Sequence, residues 1–106
     1  MDELTIELLQ KLCDDGKIKW SLHALKRIRE RNIDSSEVFE CIKNGEIIED
    51  YPDDKPLHSC LIHGVIKSKH LHTVVSSDGK FIYIITAYIP DLYEWENDYK
   101  TRKEQS

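Results

Sequence analysis

An imidazole and two guanidinium groups recur at every fourth position in the first third of the chain. His23, Arg27 and Arg31 follow this spacing, and residues four apart lie on the same side of an α-helix. An imidazole can transfer a proton, and guanidinium groups bind phosphate oxygens. We therefore predict that this row is the leading candidate for a catalytic or phosphate-binding site. The alternatives are a basic helix face that is only solvated and a His23 that caps or packs.

A second set of polar side chains lies towards the end of the chain. Thr86 and Tyr88 alternate within an apolar run and so share one face of a strand, and Lys100 and Arg102 follow them. Tyr88 can donate a proton or stack on a nucleobase, or it can fill the edge of the core with its hydroxyl solvated. Lys26, Lys100 and Arg102 are cations suited to a phosphate backbone.

Five potential metal ligands lie on two neighbouring predicted strands: His58, Cys60, His63, His70 and His72. Their spacing matches none of the usual closed zinc sites, and Lys69 beside them opposes a cation. The three cysteines contain no CxxC pair, which argues against a disulfide framework and a zinc ribbon. We expect no metal and no cofactor, and a histidine-based metal protein is the least favoured alternative.

Net charge limits where a polyanion can bind. The 106 residues carry 15 Lys and Arg against 20 Asp and Glu, a formal net charge of −5. Binding of nucleic acid over the whole surface is therefore disfavoured, and any contact must be local, at the basic stretch between residues 17 and 31. No apolar run approaches the roughly 20 residues of a membrane helix, and the acidic N-terminus is unlike a signal peptide. We expect a cytoplasmic protein.

Hydrophobic periodicity predicts three helices in the first half of the chain. The first spans 4–13 and ends at Asp14-Asp15-Gly16. The second begins after Ser21 as N-cap and ends near Asn32. The third begins at Asp34, which forms a capping box with Glu37, and ends at Asn44-Gly45.

From Glu46 onward the period changes to two or to continuous β-rich runs, which predicts four strands at 47–51, 59–66, 70–76 and 81–89. The alternation in 17–20 indicates a short edge strand or an extended entry into the second helix. Leu92, Trp95 and Tyr99 have helical spacing after Pro90-Asp91 and predict a last helix.

Helices followed by strands predict an α+β fold, in which N-terminal helices pack on a mostly antiparallel four-stranded sheet and a C-terminal helix follows. A chain of this length builds one core. We expect a single domain over 1–103 and a frayed tail at 104–106.

Four separated stretches resemble one known family when taken in order. They read "WSLHALKRIRERNI", "GEIIEDYPDDKPLHSCLI", "LHTVV" and "IITAYIPDLYEWENDYKTRK" and run from about residue 17 to 103. Together they resemble the domain-of-unknown-function family numbered 4258 (DUF4258). The resemblance implies a RelE-like fold, related to the RelE-like toxins and to the BECR superfamily of small ribonucleases that includes barnase and the colicin nucleases. The family pattern HAxxRxxxR falls on His23, Ala24, Arg27 and Arg31.

The resemblance also implies a toxin-like domain of a toxin–antitoxin system that acts as a metal-independent endoribonuclease on messenger RNA. Such cleavage needs a base, an acid and cations that stabilise the pentacoordinate phosphate. The expected catalytic residues are His23, Arg27, Arg31 and Tyr88, and the expected RNA-binding residues are Lys26, Lys100 and Arg102.

The alternative is a non-catalytic binding module of the same fold that contacts a zinc-finger antitoxin or a regulatory partner. The net charge of −5 favours it, and family membership does not by itself supply activity. An enzyme should gather His23, Arg27 and a basic or hydroxyl partner in one concave site. A binding module should leave the arginines paired with acids on a flat surface.

Overall fold

The computed structural model describes residues 4–104, so the predicted tail at Gln105 and Ser106 lies outside the described residues. The fold is α+β, and its elements run α1 (Ile6–Asp14), β1 (Ile18–Trp20), α2 (Leu22–Glu30), α3 (Ser35–Asn44), β2 (Glu46–Tyr51), β3 (Ser59–Ile66), β4 (Lys69–Ser77) and β5 (Ile82–Tyr88). None of the helices in the described part has the length and apolar character needed to cross a membrane.

Side-chain caps determine where the helices begin. The Thr5 hydroxyl accepts the backbone N–H of Leu8 at 3.1 Å before α1. Ser21 accepts the N–H of the third residue after it at 2.9 Å, and α2 begins there as predicted. Before α3, the Glu37 carboxylate accepts the backbone N–H of Asp34 at 3.0 Å, as in a capping box. Each of these hydrogen bonds satisfies a backbone N–H group at the start of a helix, where no carbonyl of the same helix is available to accept it.

The sheet has five strands in the order β1-β5-β4-β3-β2. β1 pairs in parallel with β5, from Ile18 opposite Ile82 to Trp20 opposite Ile84, and the other neighbours are antiparallel. The prediction of a mostly antiparallel four-stranded sheet is therefore wrong: the sheet is mixed. The backbone N–H of Ile82 donates to the carbonyl of Lys17 at 2.8 Å, which extends this pairing to the residue before β1.

The predicted C-terminal helix is also wrong, since residues 90–104, called here the C-terminal segment, form turns. The carboxylates of Asp91 and Asp98 each accept the backbone N–H groups two and three residues ahead, at 2.9 to 3.1 Å. Such bonds stabilise turns in competition with a helix. Tyr99 has a left-handed φ of 58°, and Trp95 pairs with Arg102 in an isolated antiparallel bridge. The segment thus doubles back on itself.

The two faces of the sheet differ in chemistry. The helical face carries the apolar core, in which α3 lies so close to β3 that a Cβ on Gly64 would be 2.8 Å from the Cα of Cys41. On the opposite face, His72 lies in register with both His63 and Tyr88. The C-terminal segment packs against this second face, where Trp95 is only 1% exposed. We call the second face the open face because none of the helices within residues 4–104 covers it.

Candidate functional site

The predicted row on α2 is divided in the structure. His23 and Arg27 are exposed, and Nη1 of Arg27 lies 3.6 Å from Oε1 of Glu30. Arg31, at the C-cap of α2, reaches β5 instead. Its Nη1 donates to the Thr86 hydroxyl at 2.9 Å and to the carbonyl of the next residue, also at 2.9 Å. Arg31 therefore joins the helix to the end of the last strand, beside the open face.

Tyr88 lies two residues beyond Thr86 and occupies the open face. Its hydroxyl is 3.2 Å from Nδ1 of His72, and Nε2 of that imidazole is 2.6 Å from the carbonyl oxygen of Tyr99. Burial raises the pKa of Tyr88, and the positive charges of Arg102 and Arg31 oppose this rise. The charges of both guanidinium groups thus favour the ionised form of the Tyr88 phenol, although the two arginines are far apart in sequence.

Arg102 reaches the open face from the C-terminal segment. Its Nε and Nη2 donate to the two carboxylate oxygens of Glu49 at 2.7 and 3.1 Å, and its guanidinium lies over the ring of Trp95 at 4.6 Å. The Tyr51 hydroxyl also donates to Glu49. Burial acts to raise the pKa of Glu49, but the hydrogen bonds from Arg102 and Tyr51 outweigh it and the pKa is lowered. The carboxylate is therefore ionised and bound in a two-pronged ion pair.

These residues make up the candidate site, called here the open-face site: Arg31, Glu49, His72, Thr86, Tyr88 and Arg102. Burial is the largest cause that lowers the pKa of His72, which is about 4, so its imidazole is neutral at pH 7. The site holds two guanidinium groups, of which that of Arg102 is bound to Glu49 and that of Arg31 has no acidic partner among the described residues, and a phenol–imidazole pair. The two arginines and the tyrosine are predicted from the sequence as site residues. His72 was predicted only as a possible metal ligand, and Glu49 was not predicted.

The remaining predicted cations are placed differently. Nζ of Lys100 pairs with Oε1 of Glu46 at 3.0 Å, at a groove whose lining includes His63. Lys26 is exposed on α2. The structure therefore brings together Arg31, Tyr88 and Arg102 from the predicted set, while the other predicted residues lie outside the open-face site.

The histidines of β3 and β4 form a cluster beside this site. Nε2 of His63 is 2.8 Å from Nδ1 of His70, whose ring stacks on Tyr99 with centroids 4.1 Å apart. Burial and the neighbouring imidazole lower the pKa of His63. Across residues 4–104, no three His, Cys, Asp or Glu side chains are arranged to hold a metal ion. Burial raises the pKa of Cys60 to about 12, which makes its thiol a poor nucleophile.

Comparison with known proteins identifies one family. A family model described as a domain of unknown function, DUF4258, matches residues 20–89. The chain belongs to the DUF4258 family. The part of this DUF4258 chain that matches includes His23, Arg27, Arg31 and Tyr88, whereas Arg102 lies beyond it. No curated protein and no solved structure shows significant similarity to the chain.

Proposed function

We propose that this DUF4258 chain is a toxin-like endoribonuclease that cleaves messenger RNA in the cytoplasm without a metal ion. In this proposal the scissile phosphodiester binds at the open-face site. The observation that carries the proposal is the position of Arg31, whose guanidinium binds the Thr86 hydroxyl two residues before Tyr88 and has no acidic partner among the described residues. A relationship to the RelE-like toxins and the BECR ribonucleases, which the family resemblance implies, supports the same activity.

Each residue of the site has a role that its chemistry supports. A guanidinium has five N–H donors, and Arg31 uses one of its nitrogens for Thr86 and the adjacent carbonyl. Its other donors, together with Arg102, stabilise the charge that develops on the pentacoordinate phosphate. The hydroxyl of Tyr88 exchanges a proton with the reacting RNA oxygens.

The exposed side of α2 has a separate role in this proposal. His23, Lys26 and Arg27 lie outside the open-face site and form a cationic approach to Arg31 along the helix. We propose that this side contacts RNA phosphates on either side of the cleaved bond, because exposed Lys and Arg side chains release counterions when they bind a polyanion. In this proposal His23, expected from the family pattern to be catalytic, contributes through RNA contact.

A non-catalytic module that binds a zinc-finger antitoxin or a regulatory partner is the second candidate. The ion pairs favour it, because Arg27 is paired with Glu30 and Arg102 is paired with Glu49. Arginines paired with acids are what a binding module predicts. Arg31 differs, since it binds a hydroxyl and a carbonyl and, like Arg29, has no acidic partner among the described residues.

Regulated expression in bacterial cells distinguishes the two candidates. We compare the wild-type chain with Tyr88→Phe and Arg31→Gln, and with Arg29→Gln as a matched control on an exposed arginine of the same helix. Growth, transcript integrity and the circular dichroism of each purified variant are measured. The nuclease proposal predicts arrest with cleaved transcripts for the wild type and the control only. His23→Ala and Arg27→Ala should weaken cleavage in part.

Intact transcripts in cells that accumulate folded wild-type protein would contradict the nuclease proposal and favour the binding module. Cleavage that Tyr88→Phe and Arg31→Gln leave unchanged would instead remove the open-face site from the proposal.

A further inference from the structure

We infer that His72 is a positioning residue that fixes the direction of the Tyr88 hydroxyl, and that the C-terminal segment selects its tautomer through the carbonyl of Tyr99. The inference rests on the proposed function, because that function assigns the Tyr88 oxygen to the reaction. Beyond that function, it assigns a role to His72, which does not contact RNA. It also assigns a role to the C-terminal segment, which lies outside residues 20–89, the part matched by the family model.

The tautomer follows from the partners of the two ring nitrogens. Nε2 of His72 is 2.6 Å from the carbonyl oxygen of Tyr99, and a carbonyl oxygen can only accept a hydrogen bond. Nε2 must therefore carry the proton. In a neutral imidazole Nδ1 is then an acceptor, so the Tyr88 hydroxyl, 3.2 Å away, donates to it. The O–H of Tyr88 is therefore directed at Nδ1 of His72.

The surroundings of His72 keep the ring neutral. Its side chain is fully buried, with the ring of Trp95 edge-on at a centroid distance of 4.5 Å. Burial is the main cause of its low pKa; the positive charges of His63 and Arg102 act in the same direction, while the Tyr99 carbonyl and Glu49 oppose them. The tautomer assignment therefore holds at neutral pH.

This arrangement makes Tyr88 a proton acceptor towards RNA. The oxygen of Tyr88 takes the proton of the 2′-hydroxyl while its own proton passes to water, and the new O–H again donates to Nδ1 of His72. The 2′-oxygen forms a bond to phosphorus, the bond from phosphorus to the 5′-oxygen breaks, and the leaving oxygen takes the proton back from water. His72 stays neutral and bound to the Tyr99 carbonyl throughout.

Nuclear magnetic resonance of the 15N-labelled full chain tests the tautomer without any need for activity. Long-range proton–nitrogen correlations at pH 7 should show His72 as a neutral ring protonated at Nε2, assigned by the loss of its signals in His72→Gln. In Tyr88→Phe, the Nδ1 resonance should shift because its donor is gone, while Nε2 stays protonated because the Tyr99 carbonyl remains. A ring protonated at Nδ1, or an imidazolium at pH 7, would overturn the inference.

A second measurement tests the consequence for the reaction. His72→Gln should reduce RNA cleavage by about 100-fold, the order expected when a proton-transfer group loses its alignment. Tyr88→Phe added to it should cost little more, because residues that act as a unit are not additive. His58→Gln, which changes the histidine immediately before β3, is the control and should retain cleavage. Equal cleavage by wild type and His72→Gln, with both folded, would overturn the inference.

The two proposals fail in different ways. A wild-type chain with the expected tautomer and no cleavage of RNA contradicts the proposed function and leaves the positioning of Tyr88 intact. A wild-type chain that cleaves RNA with the wrong tautomer contradicts the positioning and leaves the proposed function intact.

Discussion

Acidification of the folded protein should remove a contribution that His72 makes to stability. The folded state lowers the pKa of His72 from 6.5 to about 4, so folding favours the neutral ring. Each pKa unit corresponds to about 1.4 kcal/mol, and the difference amounts to about 3 kcal/mol of unfolding free energy. Because the folded pKa lies below the unfolded one, this contribution is complete above pH 6.5 and is lost as the pH falls from 6.5 to 4.

Urea unfolding followed by circular dichroism between pH 7 and pH 4 measures this loss. Other groups also titrate in this range, so the relevant quantity is the difference between wild type and His72→Gln at each pH. That difference should shrink by about 3 kcal/mol between pH 7 and pH 4. His23→Gln, a change at an exposed histidine, is the matched control. A difference that does not vary with pH would refute the argument that His72 is held neutral by burial beneath Trp95.

Three further predictions concern buried packing and helix capping. Trp95→Ala should reduce the unfolding free energy by about 3–5 kcal/mol, measured by urea denaturation, because it removes a fully buried aromatic ring, and a loss under 1 kcal/mol would contradict the docking of the C-terminal segment. Gly64→Ala should lower the melting temperature, because its Cβ would meet the backbone of Cys41 at 2.8 Å; an unchanged melting temperature would contradict that close approach. Ser21→Ala should cost about 1 kcal/mol through the lost N-cap of α2, and no change in thermal unfolding would contradict that cap.

Local patterns in the sequence were sufficient to predict most of the individual elements. Ser21 and Asp34 are cap residues with short-range partners, and both precede the helices that they predict. The β-rich run predicted as a strand at 59–66 forms β3 with the same bounds. These features depend on neighbours within a few residues, which periodicity and capping preferences describe well.

Two features could not be predicted from hydrophobic periodicity, because their causes are non-local or compete with it. β1 is defined by its parallel partner β5, which lies at the other end of the chain, and a three-residue alternation cannot identify that partner. In the C-terminal segment, Trp95 and Tyr99 have helical spacing, but the side chains of Asp91 and Asp98 stabilise turns. The two aspartates could have indicated these turns, since an Asp side chain favours turns by accepting hydrogen bonds from backbone N–H groups a few residues ahead.

The candidate site was predictable as a set of residues and only partly as an arrangement. Residue type, local spacing and the family resemblance identified Arg31, Tyr88 and Arg102 as candidates, but their arrangement depends on the sheet order and on the path of the C-terminal segment. His72 was the functional residue most open to prediction, because the alternation along β4 places it on the opposite face from the neighbouring core residue Leu71. Glu49 had no comparable signal, because a bulge shifts the register of β2 next to it.

Cleavage of a defined RNA oligonucleotide by purified protein in the presence of EDTA tests the central claim most directly. The reaction products of wild type, Tyr88→Phe, Arg31→Gln and the control Arg29→Gln are separated and their ends identified. The account predicts that wild type and control cleave with the chelator present and leave a 2′,3′-cyclic phosphate, and that Tyr88→Phe and Arg31→Gln are at least about 100-fold slower. Intact RNA with folded wild-type protein, or equal cleavage by all four proteins, would contradict it.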